Sequence, residues 1–284
     1  MGHHYVPQHY LRGFETPAHP GTIWRYDKVS KLFKRIPIKV VAQEPAFYDE
    51  ETERALSTQI EQPALGSLAR LRRREPINQD DRARLAVYTA SMMMRVPRRR
   101  RRSLEMVPSV LADTIAGFKK RLEEWASSPD ADQGLVARRF AELEAAQKKF
   151  AREPPLAVID QVRSPWPRQR FVDLIFAMTW RVIVADASTR FLTSDNPTFF
   201  FEAYGLGQPE AEISCPFASD VALHGSWQGP REGLIFVQAK PALVREINRR
   251  VVSGAERFVF FHKHANWVAA VAEKPYPFLS RIQW

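Results

Sequence analysis

The chain has 284 residues, 45% hydrophobic and 26% charged, enough to build a core without disulfide or metal staples. Its one cysteine, Cys215, excludes an intrachain disulfide, so nothing ties the protein to an oxidising compartment. The formal net charge of +10 favours polyanionic partners over basic ones.

Residues 1–10 carry no basic region followed by an apolar run, so they are not a signal peptide. Gly2 is present, but Val6 stands where a myristoylation signal needs Ser or Thr. The apolar runs are too short to span a bilayer, and a bacterial cytoplasm is the expected setting.

Residues 1–14 read as a short helical or irregular segment. Thr22-Ile-Trp-Arg-Tyr26 alternates and is rich in strand formers. Residues 31–41 continue the pattern, which predicts a hairpin turning at residues 27–30. From Glu53 the period becomes helical, with Leu56, Ile60, Ala64, Leu68 and Leu71 on one face. Pro63 is expected to kink this helix and Pro76 to end it. Asn78 then caps a helix carrying Leu85, Tyr88 and Met92 inward. Residues 104–126 and 135–150 form a helical hairpin, turning near Pro129.

A helix is expected over residues 168–180. The strand candidates after it are residues 182–185, 191–193, 199–201, 213–217, 234–238 and 258–262, interrupted by one helix from Pro241. There is no βαβ alternation, so the fold class is α+β, with a mostly antiparallel sheet. The N-terminal hairpin (residues 1–48) joins C-terminal strands (181–284). A helical region, residues 53–180, is inserted between them in one domain.

No P-loop, dinucleotide fingerprint, HExxH, CxxC, EF-hand loop or GxSxG elbow occurs. Cys215, within Ile213-Ser-Cys-Pro-Phe217, reads as a small buried strand residue rather than a nucleophile.

Four constellations remain. The first is His3-His4-Tyr5-Val6-Pro7-Gln8-His9, with three of the seven histidines. Imidazole titrates near neutrality, which suits proton transfer or metal ligation, although adjacent histidines in an extended segment point apart. The alternative is a histidine pair that pins the N-terminus to the sheet. The second is Thr193-Ser-Asp-Asn-Pro197, where a strand runs into a turn. Asp195 is there either an Asx-turn residue or a carboxylate offered at a strand end.

The third pairs Glu61 with Arg95. Both fall on the apolar faces of their helices, so they either meet or line a polar cavity. The fourth is the run Arg98, Arg99, Arg100, Arg101 and Arg102. Residues 66–102 hold 12 Arg against Glu75, Asp80 and Asp81. Such density repels itself and is relieved by a polyanion.

The pattern HHYVPQ-x-YLR-x-F (His3–Gln8, Tyr10–Arg12, Phe14), the strand Ile23–Lys28 and the late TSDNP resemble domain-of-unknown-function family 4238. The resemblance extends to Glu61, Arg95 and Cys215-Pro216-Phe217, and is weakest over residues 104–150. It implies no reaction, but it marks His3, His4, Gln8 and Asp195 as one shared site.

The expected function is therefore a phosphoesterase or nuclease-like enzyme acting on nucleic acid or nucleotides. His3, His4, Asp195 and Asn196 would be catalytic. Gln8, Arg12, Glu61 and Arg95 would bind substrate, and Arg98–Arg102 would bind nucleic acid. A divalent metal is compatible but not implied. The alternative is a non-enzymatic module that binds nucleic acid or protein, with the His and SDNP motifs as fold determinants.

Overall fold

The computed structural model describes every residue except 1, 46, 203, 230–233, 275–279 and 283. Residues 1–97 with 165–284 form one compact unit, and residues 98–164 form a second. Of the helical region expected at 53–180, residues 98–164 fall in the second unit.

The first unit opens with β1 (Gly2–His4), α1 (Gln8–Leu11), β2 (Thr22–Asp27), β3 (Phe33–Pro37) and β4 (Gln43–Pro45). The helices α2 (Glu50–Leu56), α3 (Gln62–Arg72) and α4 (Gln79–Met94) follow. The second unit holds α5 (Pro97–Ala126), α6 (Gln133–Arg152) and α7 (Leu156–Arg163). The chain then returns through α8 (Gln169–Ala177), β5 (Thr179–Val184), β6 (Thr193–Ser194), β7 (Phe199–Phe200), β8 (Glu212–Ala218) and β9 (Val221–Ser226). It ends with β10 (Leu234–Gln238), α9 (Pro241–Gly254), β11 (Phe258–Phe261) and α10 (Trp267–Glu273).

The architecture is α+β. A four-stranded sheet, β3-β2-β11-β6, joins the N-terminal hairpin to the C-terminal chain, with Tyr26 opposite Val259. A five-stranded sheet runs β10-β5-β9-β8-β7. It is antiparallel except for β10 beside β5, a parallel pair that the sequence pattern did not predict. β1 pairs with β4.

β5, β8 and β9 are buried at every position. Side chains alternate between the two faces of a strand. One face therefore carries Trp180, Val182, Ile213, Cys215, Phe217 and Leu223, and the other Arg181, Glu212, Ser214 and His224. β9 was missed from sequence because Val221-Ala-Leu-His-Gly-Ser226 has few β-branched residues. Its glycine is required by packing, since a Cβ on Gly225 would lie 2.8 Å from Ile213 Cγ1.

Pro63 does not break its helix sharply. Five π-helical residues, Ser57–Glu61, precede it and join α2 to α3. Such segments widen the turn where a regular ladder fails, and they recur at functional sites. α4 starts in a capping box between Asn78 and Asp81. Asp81 also accepts from Ser67 Oγ at 2.7 Å, which ties α3 to α4.

In the second unit, α5 begins at Pro97, so the five arginines form its first turns rather than a loop. Arg98, Arg99 and Arg100 are half-buried; Arg101 and Arg102 are exposed. Val107, Ile115 and Val136 are the buried positions of α5 and α6, and Lys119 Nζ donates to Gln147 Oε1 at 2.9 Å. Among the described residues, no helix is long and apolar enough to cross a membrane.

The rest of the basic cluster is not one surface. Arg72 donates to the carbonyls of His9, Tyr10 and Phe217. Arg82 donates to those of Phe176 and Met178. Arg70, Arg73 and Arg74 pair with Asp81, Glu75 and Asp220.

Candidate functional site

Three short pieces of chain converge around the N-terminal histidines. β1 supplies His3 and His4, α1 supplies Gln8 and His9, and the π-helical segment supplies Glu61. Arg95, the residue that ends α4, reaches in from the other side. Its side chain is only 1% exposed, and a buried guanidinium must be matched by partners. Nη1 donates to Glu61 Oε1 at 2.5 Å and Nη2 to the His4 carbonyl at 2.6 Å. The backbone carbonyl of Arg95 accepts from Tyr48 Oη at 2.9 Å. Glu61 and Arg95 therefore meet, and Arg95 spends both terminal nitrogens on the protein itself.

Glu61 bridges. Its Oε2 lies 3.5 Å from His9 Nδ1, and His9 Nε2 shares a hydrogen bond with buried Tyr88 Oη at 2.9 Å. Burial pushes the His9 pKa down to about 4, helped by Arg72, Arg95 and Arg12 and opposed by Glu61. His9 is neutral at pH 7.

His4 is half-buried. Gln8 Nε2 donates to His4 Nε2 at 3.1 Å, which leaves the ring proton on Nδ1. Burial lowers its pKa, opposed by the backbone of Val41 and Lys39. His3 points the other way. Its Nδ1 accepts from the Tyr48 backbone N–H at 3.1 Å, and its ring stacks on Tyr48.

Glu53 of α2 faces the same cluster. Burial raises its carboxyl pKa, Arg95 opposes that, and Glu61 adds to it. Three buried polar atoms here have no hydrogen-bond partner: His4 Nδ1, Glu53 Oε2 and Arg95 Nε. Unsatisfied buried polar groups are rare in folded proteins, and three in one cluster call for a cause.

Asp195 has a different set of contacts. Its carboxylate accepts from the backbone N–H groups of Glu256, Arg257 and Phe258 at 2.8, 2.7 and 2.7 Å. It clamps the start of β11 to β6. Asn196 Nδ2 donates to the Gly254 carbonyl at 3.0 Å, and Ser194 Oγ closes the turn with Asn196. It is Tyr5, alternating to the opposite side from His4, whose hydroxyl feels the charge of Asp195. The hydrogen bonds of Asp195 and Asn196 tie them to the start of β11 and to Gly254. The carboxylates at the histidines are Glu61 and Glu53.

Arg12 is exposed and close enough to His9 to affect its titration. Cys215 is buried, and burial raises its thiol pKa to about 12, against hydrogen bonds from Thr198 and Tyr10. It is a core residue. Among the described residues, no three His, Cys, Asp or Glu side chains are grouped to hold a metal ion.

His9, Glu53, Tyr48 and Tyr88 were not singled out by sequence. His9 lies in the same motif as His4, so the signal was there. Glu53 was hidden because the π-helical turn retards the helix phase between it and Glu61.

The depressed pKa of His9 makes stability pH-dependent. The unfolded chain protonates this imidazole near 6.5, the folded protein only near 4. Stability is therefore lost as pH falls from about 6.5 to about 4 and levels off below. At about 1.4 kcal/mol per pKa unit, the loss reaches at most about 3 kcal/mol. Urea unfolding at several pH values should show this limb in the wild type and its reduction in His9→Gln. Equal limbs in both proteins would assign it to other groups.

No curated protein and no solved structure matches the chain. A family model described as "Protein of unknown function (DUF4238)" matches residues 2–265, and the chain belongs to that family.

Proposed function

We propose that the protein is a hydrolase of phosphate esters in nucleic acid or nucleotides, working by acid–base chemistry at the His4, Gln8, Glu53, Glu61 and Arg95 cluster. One observation carries this reading: His4 Nδ1, Glu53 Oε2 and Arg95 Nε are buried together without partners. Oxygens of a substrate, and a water positioned for attack, would complete them.

Gln8 fixes the tautomer of His4, so Nδ1 offers a proton to a phosphoryl or leaving oxygen. Glu53, its carboxyl held above the usual range, is the base for the attacking water. Glu61 orients Arg95 and His9, and the Arg95 guanidinium supplies positive potential where negative charge develops. Exposed Arg12 adds to the positive potential that draws in a polyanion.

The test is incubation with labelled single-stranded RNA and double-stranded DNA, with and without Mg²⁺, followed by a denaturing gel. Cleavage by the wild type that is lost in Glu53→Gln is the expected result. Intact RNA and DNA under every condition would overturn the reading.

A second reading has its own support. Arg95 holds the His4 carbonyl and His3 accepts from Tyr48, so the motif also pins the N-terminal strand. In that case the arginines bind nucleic acid without chemistry, and a band shift without cleavage is the expected outcome.

A further inference from the structure

The second unit has little core of its own. α5 and α6 run antiparallel through a turn at residues 127–132, where Gln133 Nε2 donates to the Ala126 carbonyl at 3.1 Å and, further down, Lys119 Nζ to Gln147 Oε1 at 2.9 Å. Across α5, α6 and α7 the buried apolar side chains are Val107, Ile115 and Val136. Leu111, Leu122, Phe140 and Leu143 are half-buried. Two helices meet along a single line, so apolar side chains beside that line stay in water until further helices cover them.

α5 carries such a flank. Met106, Val110, Phe118 and Trp125 are 50%, 52%, 48% and 41% exposed. Their spacings of four, eight and seven residues follow the helical period, so they form one stripe along about five turns. Arg121 lies over the Phe118 ring at 4.6 Å and still leaves half of that residue open. Half-exposed side chains of this size offer about 100 Å² each, so two copies meeting on the stripe bury about 800 Å² of apolar surface, about half of a standard interface. The polar rim of two 30-residue helices supplies the rest.

Charge selects the occupant and its direction. Residues 98–105, at the start of α5, hold five arginines against Glu105, and Arg101 and Arg102 are exposed. Residues 122–132, at the other end, hold Glu123, Glu124, Asp130 and Asp132, all exposed, and no base. Arg102 is four residues before Met106, and Glu124 is 18 residues after it, which is five turns, so both flank the stripe on its own side. A second copy laid parallel would set arginines on arginines. Laid antiparallel, it sets each basic end on the partner's acidic end. A nucleic acid would be repelled at the acidic end, and a partner of one uniform charge would match one end only.

We infer that α5 is the contact between two copies of this chain, paired antiparallel about a two-fold axis across its middle, which covers Met106, Val110, Phe118 and Trp125 and joins two hairpins into a four-helix assembly. The contact lies in the second unit and does not depend on the hydrolase reading.

The experiment is sedimentation equilibrium of the full chain. At micromolar concentration the wild type is expected at twice the 32.7 kDa chain mass, with a Kd that rises on adding KCl. Phe118→Glu should weaken the dimer at least tenfold with an unchanged circular dichroism spectrum, and Phe118→Leu should keep it. Val110→Glu replaces Phe118→Glu if that variant does not fold. A wild type that stays monomeric at every concentration, or a dimer that the glutamate leaves intact, would overturn the proposal. Direction is read from nitroxide labels on Ser127→Cys, since buried Cys215 is not labelled. An antiparallel pair holds the two labels about 40 Å apart, and labels close together would reject the arrangement.

Discussion

Replacing Arg95 by alanine is expected to cost about 3–5 kcal/mol of stability, the usual penalty for removing one partner of a buried ion pair. The guanidinium joins the end of α4 to the His4 carbonyl and to Glu61. Without it, Glu61 keeps a charge beside neutral His9. Glu61→Gln is expected to cost less, because an amide still accepts from Arg95 and the glutamate is the more exposed partner. Urea unfolding of both variants and of the double variant measures the coupling. A double variant that loses the sum of the two single losses would show that the pair acts as independent residues.

Asp195→Ala is expected to destabilise the protein by about 3 kcal/mol or more, since it strips the acceptor from three backbone amides, each worth about 1–3 kcal/mol when left unsatisfied. The carboxylate takes the N–H groups of Glu256, Arg257 and Phe258, which set the entry into β11 between β2 and β6. Asp195→Asn should lose less, because one amide oxygen remains to accept. Cleavage per folded molecule is expected to stay at the wild-type level in Asp195→Asn. A variant that melts like the wild type but has lost cleavage would return Asp195 to the chemistry.

The sequence carried the large features for physical reasons. Tyr26 and its neighbours alternate at the strand period, so β2 and its pairing with C-terminal chain were readable. Asn78 followed by Asp81 is a capping signal, and it starts α4. Glu61 and Arg95 were drawn together by cost alone, since two charges at inward positions must find partners. The missed features lack a local signal. His224 and Arg181 are neighbours only through a strand register that β9 does not announce. Asp195 reads the same whether its oxygens meet amides or a substrate, because an Asx turn and an active carboxylate share one local sequence. Composition alone overstates the exposed charge of the basic cluster: Arg72, Arg82 and Arg95 spend theirs on internal carbonyls.

His4 is where chemistry and folding separate most cleanly. Its side chain bonds Gln8, meets the backbone of Val41 and Lys39, and leaves a buried Nδ1 without a close partner. Truncation to alanine removes little that holds the fold, and should lower Tm by no more than a few degrees, in line with a loss of about 1 kcal/mol. The decisive measurement is product formation from single-stranded RNA and double-stranded DNA by His4→Ala, with its Tm taken on the same sample. A catalytic His4 predicts that cleavage disappears while Tm stays close to the wild-type value. Unchanged cleavage, or loss of cleavage only in step with unfolding, would contradict it.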